Sequence, residues 1–400
     1  MSGAGRLATD ATRTPSFPAP NPLCERPSPR PGPAVSAGGK LPRAIARVAD
    51  QVAKVRGLGF DQPVAPEPLT EAQINGLVRS EFGKEFPEEE AAKQQQTWIT
   101  MGVIPAGTDL LRSIVDFGTS QIIGFYDTTS HRLVFVGDQQ LTALARVTLA
   151  HELTHALDDQ HFGLSLLDDL SRACLDDRAG AFEALAEGDA QETSIQWGRA
   201  NLTKQDVIDL QKEVDEFPPP PDTPPFVENL FSFPYPNGQA FVEALLAKGG
   251  EQAVDDAFRN PPTSTEQILH PDKYPTDSPQ VVLVPDLGSR LGSGWADLDF
   301  QDVGEGWLRL MLELRLPGDE ADAAAAGWDG GQYRAWSEGS GTAVVLDTLW
   351  DGAAEASEFT ASMKTWLGGQ PSAVMANGTS VRVLFASDAD TLAMLLAAAG

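Results

Sequence analysis

Residues 141–157 carry apolar side chains at Leu141, Leu144, Val147, Leu149, Leu153, Ala156 and Leu157, at mostly three- and four-residue steps with no proline or glycine between them. That period predicts one continuous helix. Just before it, the β-branched and aromatic runs 121–127 and 133–137 flank the polar stretch 128–132, which predicts a hairpin. Its edge would suit an extended peptide, or the hairpin would simply be core. Upstream, the segment 43–56 places Ile45, Val48, Val52 and Val55 on one helical face, and Thr70 with Gln73 forms the capping box of another helix. The alanine-rich run 176–190 reads as a helix despite Gly180 and Gly188.

Further along, the proline-rich stretch 217–225 breaks the pattern as a lid or a lobe boundary. Helices follow near 238–246 and 252–258. From about residue 304 the order becomes helix (307–314), strands (333–336 and 343–349), helix (353–366), strand (380–385) and helix (388–399). These elements predict a small α+β lobe whose tryptophans Trp328, Trp336, Trp350 and Trp366 belong to its core. The expected organisation is a proline-rich tail (1–40) unable to bury a core, a main domain (41–300) and a C-terminal lobe (301–400).

Composition adds boundaries. With 400 residues, 42% hydrophobic content and mean hydropathy of −0.20, the chain is an ordinary globular protein with room for a sizeable core. The net charge of −28 is spread along the chain and argues against nucleic acid or anionic membranes as partners. No apolar run is long enough for a membrane span or a signal-peptide core, so the chain as written reads as cytoplasmic. Only Cys24 and Cys174 are present, one of them in the tail, and a structural disulfide is not expected.

The chemistry concentrates in His151-Glu152-Leu153-Thr154-His155. Residues four apart on a helix share a face, so two imidazoles can converge on one ion. Neutral imidazole suits zinc, and catalytic zinc keeps three protein ligands and one open position. Glu152, about 100° further round the helix, falls beside the ion rather than on it. There a carboxylate can take a proton from water whose pKa zinc has lowered to roughly 7. Three of the five histidines, His151, His155 and His161, fall within this short stretch. His161 is out of phase with the other two and is expected to support a ligand or to pack.

For the third ligand the segment 176–190 offers Glu183 and Glu187, four residues apart. Glu187 is favoured because Ala184, Gly188 and Ala190 would let its helix approach the histidine helix. Asp189 then becomes a hydrogen-bond acceptor for a ligand imidazole, or is simply solvated. His270 and Tyr274, in His270-Pro271-Asp272-Lys273-Tyr274, are the expected donors to the oxyanion that forms when water adds to a carbonyl; the alternative for His270 is a helix cap.

This arrangement resembles the gluzincins, zinc metallopeptidases in which a glutamate on a following helix completes a His-Glu-x-x-His site. More narrowly, the string from His151 to Phe162, then Glu187-Gly188-Asp189-Ala190, then 264–274, resembles a little-characterised bacterial metallopeptidase group over roughly residues 65–370. In that group the glutamate of the second motif is taken as the metal ligand, which implies Glu187. The chain departs from the usual gluzincin motif in having Ala186 rather than asparagine before that glutamate. The resemblance implies a peptide or protein substrate and one zinc ion per chain. It also implies export or lipid anchoring, although Leu23 before Cys24 makes a poor lipobox.

The expected fold is therefore α+β and predominantly helical: a zincin-like core with a small sheet before the histidine helix, plus the C-terminal lobe. Two rival readings are a catalytically inactive metal-binding or envelope-associated binding protein, and a hydrolase of non-peptide amides. Oligomeric state is not legible in the sequence.

Overall fold

The computed structural model describes Cys24 and residues 43–64, 66–136, 141–216 and 222–400. Except for Cys24, the tail 1–40 lies outside the described residues, as does part of the proline-rich break. The fold is α+β and predominantly helical, with two small sheets.

The first part of the chain runs α1 (Arg43–Arg56), β1 (Glu67–Leu69), α2 (Glu71–Glu85), α3 (Glu88–Met101), α4 (Leu110–Gln121), β2 (Gly124–Asp127) and β3 (Arg132–Val136). The capping box is in place: Thr70 N donates to Gln73 Oε1, and Gln73 N donates to Thr70 Oγ1. β2 and β3 form the expected hairpin, and β1 joins β3 in parallel, so the order is β1-β3-β2 with β2 on the edge. The histidine helix α5 (Ala143–Phe162) follows, then α6 (Leu166–Arg172) and the long α7 (Asp176–Asn201). Ile45, Val48 and Val52 of α1 bury against Leu149, Leu153 and Leu157 of α5, as the helical period of both segments dictates.

After α7 come α8 (Lys204–Asp215), α9 (Pro225–Ser232), α10 (Pro234–Gly249), α11 (Glu251–Arg259), α12 (Thr265–Leu269) and α13 (Gly288–Leu291). The lobe consists of β4 (Ala296–Asp302), α14 (Glu305–Glu313), α15 (Gly318–Ala325), β5 (Trp328–Glu338), β6 (Gly341–Trp350), α16 (Ala353–Leu367), β7 (Ser372–Asn377), β8 (Ser380–Ala386) and α17 (Ala389–Ala399). Its sheet is antiparallel throughout, in the order β4-β5-β6-β8-β7. Tyr333, Ala335, Val344 and Leu346 point to one face and Trp336, Ala343, Val345 and Leu384 to the other. Both faces are covered, so β5 and β6 read as nearly continuous apolar runs rather than as strict alternation. The four tryptophans expected in this core are all buried.

Two features differ from the sequence reading. The lobe shares its core with the helical part: one buried cluster runs from Trp98 to Phe385, and Trp98 Nε1 donates to Tyr333 Oη at 3.2 Å. In addition, Cys24 and Cys174 are joined by a disulfide across 150 residues, with Cα atoms 5.9 Å apart. A position in the tail is no bar to a disulfide once Cys24 is brought back to the turn between α6 and α7. Among the described residues no helix is long and apolar enough to cross a membrane.

Candidate metal centre

Thr142 starts α5, its side chain accepting a hydrogen bond from Ala145 N, and two turns later the helix presents His151 and His155 on one face. Their rings meet edge to face with centroids 4.7 Å apart, and the two Nε2 atoms are 3.1 Å from each other. Glu187 of α7 faces both, with Oε2 3.1 Å from His151 Nε2 and Oε1 3.5 Å from His155 Nε2. Burial pushes the Glu187 carboxyl up, but His155 and His151 outweigh it and hold the group well below the usual carboxylate range. All three side chains remain 11–18% exposed, so the group opens to solvent on one side.

Glu152 lies next to this face and is buried, 7% exposed. Burial raises its carboxyl to about 7 and Glu187 adds to the rise, against a lowering by His151 and by a hydrogen bond from the Tyr126 backbone amide. Because Tyr126 is on β2, the edge strand is tied directly to Glu152.

The approach that brings Glu187 into place is made by glycines. A Cβ on Gly188 would lie 2.2 Å from Gly238 C and O, and one on Gly238 would lie 1.9 Å from Ala184 O. α7 and α10 therefore cross backbone to backbone, and only glycine fits at that crossing. The small residues read as serving the α5 contact include two, Ala184 and Gly188, that serve this other one. One turn before Gly238 on α10 stands Tyr235, its ring stacked on His151 at 6.3 Å and 25°. The Glu187 carboxylate, then local desolvation of the hydroxyl in a residue that is 43% exposed as a whole, then Glu183 and Glu152 push the Tyr235 hydroxyl well above its ordinary range, so it stays protonated and able to donate. Tyr235 was not singled out from the sequence. The available signal was an aromatic held between Pro234 and Pro236, just before a glycine.

The other motif residues take structural posts. His270 caps α12 and its Nε2 meets Glu305 Oε1 at 2.8 Å, while Tyr274 is buried and donates to Asn260 O at 2.8 Å. Neither makes a hydrogen bond, ion pair or ring contact with His151, His155 or Glu187. His161 Nε2 donates to Gly59 O at 2.7 Å, fastening α5 to the loop after α1. Asp189 does not reach an imidazole: it accepts from Arg56 Nε at 2.6 Å, and the buried Asp158 faces the same guanidinium at 3.5 Å. His155 Nδ1 is buried without a hydrogen-bond partner among the described residues. Glu183 is exposed, one turn before Glu187.

The donor set of two imidazoles and one carboxylate fits a zinc ion. With zinc–nitrogen distances of about 2.0–2.1 Å, a tetrahedral site spaces its ligand atoms roughly 3.3 Å apart; here the two Nε2 atoms are 3.1 Å apart, and each faces one oxygen of Glu187, Oε2 at 3.1 Å from His151 and Oε1 at 3.5 Å from His155. A second acidic grouping, Glu266, Asp277 and Asp351, is a different case because Lys273 Nζ already sits among its carboxylates at 2.6, 3.2 and 2.8 Å.

A family model described as a domain of unknown function (DUF8575) matches residues 295–395. That span covers the lobe and contains none of His151, Glu152, His155, Glu187 or Tyr235. No curated protein and no solved structure matches the chain.

Proposed function

We propose that this chain is a zinc-dependent metallopeptidase with a zincin-like core, in which His151, His155 and Glu187 hold one zinc ion and Glu152 is the general base. The observation that carries the reading is the convergence of two Nε2 atoms, 3.1 Å apart, on the Glu187 carboxylate, whose Oε2 lies 3.1 Å from His151 Nε2 and whose Oε1 lies 3.5 Å from His155 Nε2, on a partly open face. A proton on each Nε2 would set two N–H groups side by side only 3.1 Å apart, a crowding that a shared cation relieves. When bound, zinc would supply a Lewis acid that acidifies water and polarises a carbonyl.

Glu152 takes the proton from the attacking water and returns it to the departing amine, a task suited to a carboxyl raised to about 7. The Tyr235 hydroxyl donates to the oxygen on which negative charge develops. This moves the role expected of His270 and Tyr274 to a residue that stands on His151. β2, the edge strand nearest Glu152, keeps its Tyr126 amide on that carboxylate and would offer its remaining outward main-chain groups to an extended peptide substrate. The Cys24–Cys174 disulfide favours an oxidising compartment, and hence export, over the cytoplasm.

The test uses the full chain, loaded with zinc and screened against a peptide library. Glu152→Gln should keep stoichiometric zinc by mass spectrometry while cleavage falls by about 10²–10⁴-fold. An unchanged cleavage rate, or a folded wild type that takes up no zinc, would overturn the reading.

A further inference from the structure

Arg56, the last residue of α1, has a fully buried side chain, and carboxylates from three other helices surround it. Its Nε donates to Asp189 of α7 at 2.6 Å; its Nη1 donates to Asp255 at 2.8 Å and Glu251 at 3.1 Å, both on α11; and its Nη2 is 3.5 Å from Asp158 of α5. The guanidinium also lies 5.9 Å from the centre of the Phe162 ring. Asp158 comes three residues after His155 and Asp189 two residues after Glu187, so each inner carboxylate is within about one helical turn of a proposed zinc ligand.

We propose that Arg56 is a positioning residue for the metal centre, holding α5 and α7 at the separation at which His151, His155 and Glu187 converge; this rests on the zinc reading above. Asp158 and Asp189 are buried on facing helices, and without Arg56 between them their oxygens would lose the guanidinium that compensates them in a buried site. A guanidinium is suited to the post because its planar fork spreads three nitrogens toward carboxylates on three helices, a span that the single nitrogen of a lysine ammonium does not match. The site therefore takes in α1, a helix more than ninety residues before His151 that contributes no ligand. In the sequence Arg56 looks like an ordinary basic residue at a helix C-terminus. What sets it apart is that it continues the apolar face of Ile45, Val48 and Val52.

The experiment compares the full-length wild type with Arg56→Lys and Asp158→Asn. Zinc affinity is measured by competition with a chromophoric chelator, and the d–d absorption of the cobalt(II)-substituted protein reports ligand geometry. Thermal melts of the metal-free proteins report folding separately. Arg56→Lys is expected to weaken zinc by about tenfold or more and to alter the cobalt spectrum. Asp158→Asn, which leaves the other three carboxylates on Arg56, is expected to weaken zinc less but measurably. If Arg56→Lys lowers only the melting temperature, with wild-type zinc affinity and cobalt spectrum, the proposal is overturned. Should that variant not fold, unchanged affinity in Asp158→Asn overturns it equally. A folded wild type that binds no zinc would instead remove the reading on which the proposal rests.

Discussion

His270 with Glu305, and His151 and His155 with Glu187, are built from the same two residue types and work differently. In the first, one imidazole nitrogen meets one carboxylate oxygen at 2.8 Å, and a single proton between them satisfies both. In the second, two imidazole nitrogens 3.1 Å apart share one carboxylate, each facing a different oxygen of it. Surroundings sharpen the contrast. Glu305 is 3% exposed and serves as a buried anchor, whereas Glu187 is 18% exposed and has Tyr235 and Glu152 beside it. A histidine beside a carboxylate is thus a strut when the pair closes on itself in the interior, and a candidate metal site when two imidazole nitrogens and a carboxylate face one partly open space.

The largest effect expected from this contrast is on metal content. Glu187→Ala should lose zinc almost entirely in mass spectrometry of the intact protein, while Glu305→Ala should keep it and melt at a lower temperature. Zinc retained in the first variant, or lost in the second, would reverse the assignment of strut and site. The next effect tests what brings the trio together. Gly238→Ala places a Cβ against Ala184 O, a backbone atom that cannot swing aside, so α10 must shift. A loss of about 1–3 kcal/mol in urea unfolding is expected, together with reduced cleavage as Tyr235 moves off His151. The same substitution at Gly250, where no atom lies within 4 Å but φ is +65°, should strain only its own loop and leave cleavage intact.

Smaller still is the effect of single hydroxyls. Tyr235→Phe should lower kcat by about 10–100-fold, a share of what one oxyanion donor supplies, with zinc content unchanged. Tyr274→Phe should leave kcat alone and cost about 1 kcal/mol of stability, because its hydroxyl serves the Asn260 carbonyl. If Tyr274→Phe is the one that slows cleavage, the oxyanion role returns to the segment where the sequence reading put it.

What could be read from the chain beforehand was mostly local. α5 and α1 announce themselves by apolar residues at helical spacing, and the His151–His155 step follows from helix geometry alone. β6 and the middle of β5 were legible for a different local reason, as short runs rich in apolar residues. β4 was not, because its aspartates Asp297, Asp299 and Asp302 are poor strand formers even though two of them alternate with Leu298 and Phe300, and β7 is short and partly exposed. The misses at the site involve partners distant in sequence. Tyr235 reaches Glu187 only because Gly188 and Gly238 let two helices touch, and Asp189 was given to an imidazole because its true partner, Arg56, comes 133 residues earlier. The disulfide of Cys24 spans 150 residues and has no local signature. His270 and Tyr274 were chosen by residue type, and type does not distinguish a strut from a donor.

The smallest predicted effect separates the two groupings by pH. The hydrogen bond and charge of Glu305 raise the His270 imidazole above its ordinary value, against a lowering by burial. A histidine raised on folding stabilises the protein fully below its unfolded value of about 6.5, and that contribution fades as pH rises through the higher folded value. Glu305 adds to the same slope: burial raises its carboxyl despite His270, so folding favours its proton and stability declines as pH climbs above the unfolded carboxylate range. His270→Asn should therefore cost stability at pH 6, on the order of 1 kcal/mol for a partly exposed pair, and much less at pH 9. Urea unfolding at the two pH values measures the difference, and cleavage at the proposed zinc centre should not change. A cost that stays the same at both pH values would mean that His270 acts by shape rather than charge, and a fall in cleavage would bring it back into the site.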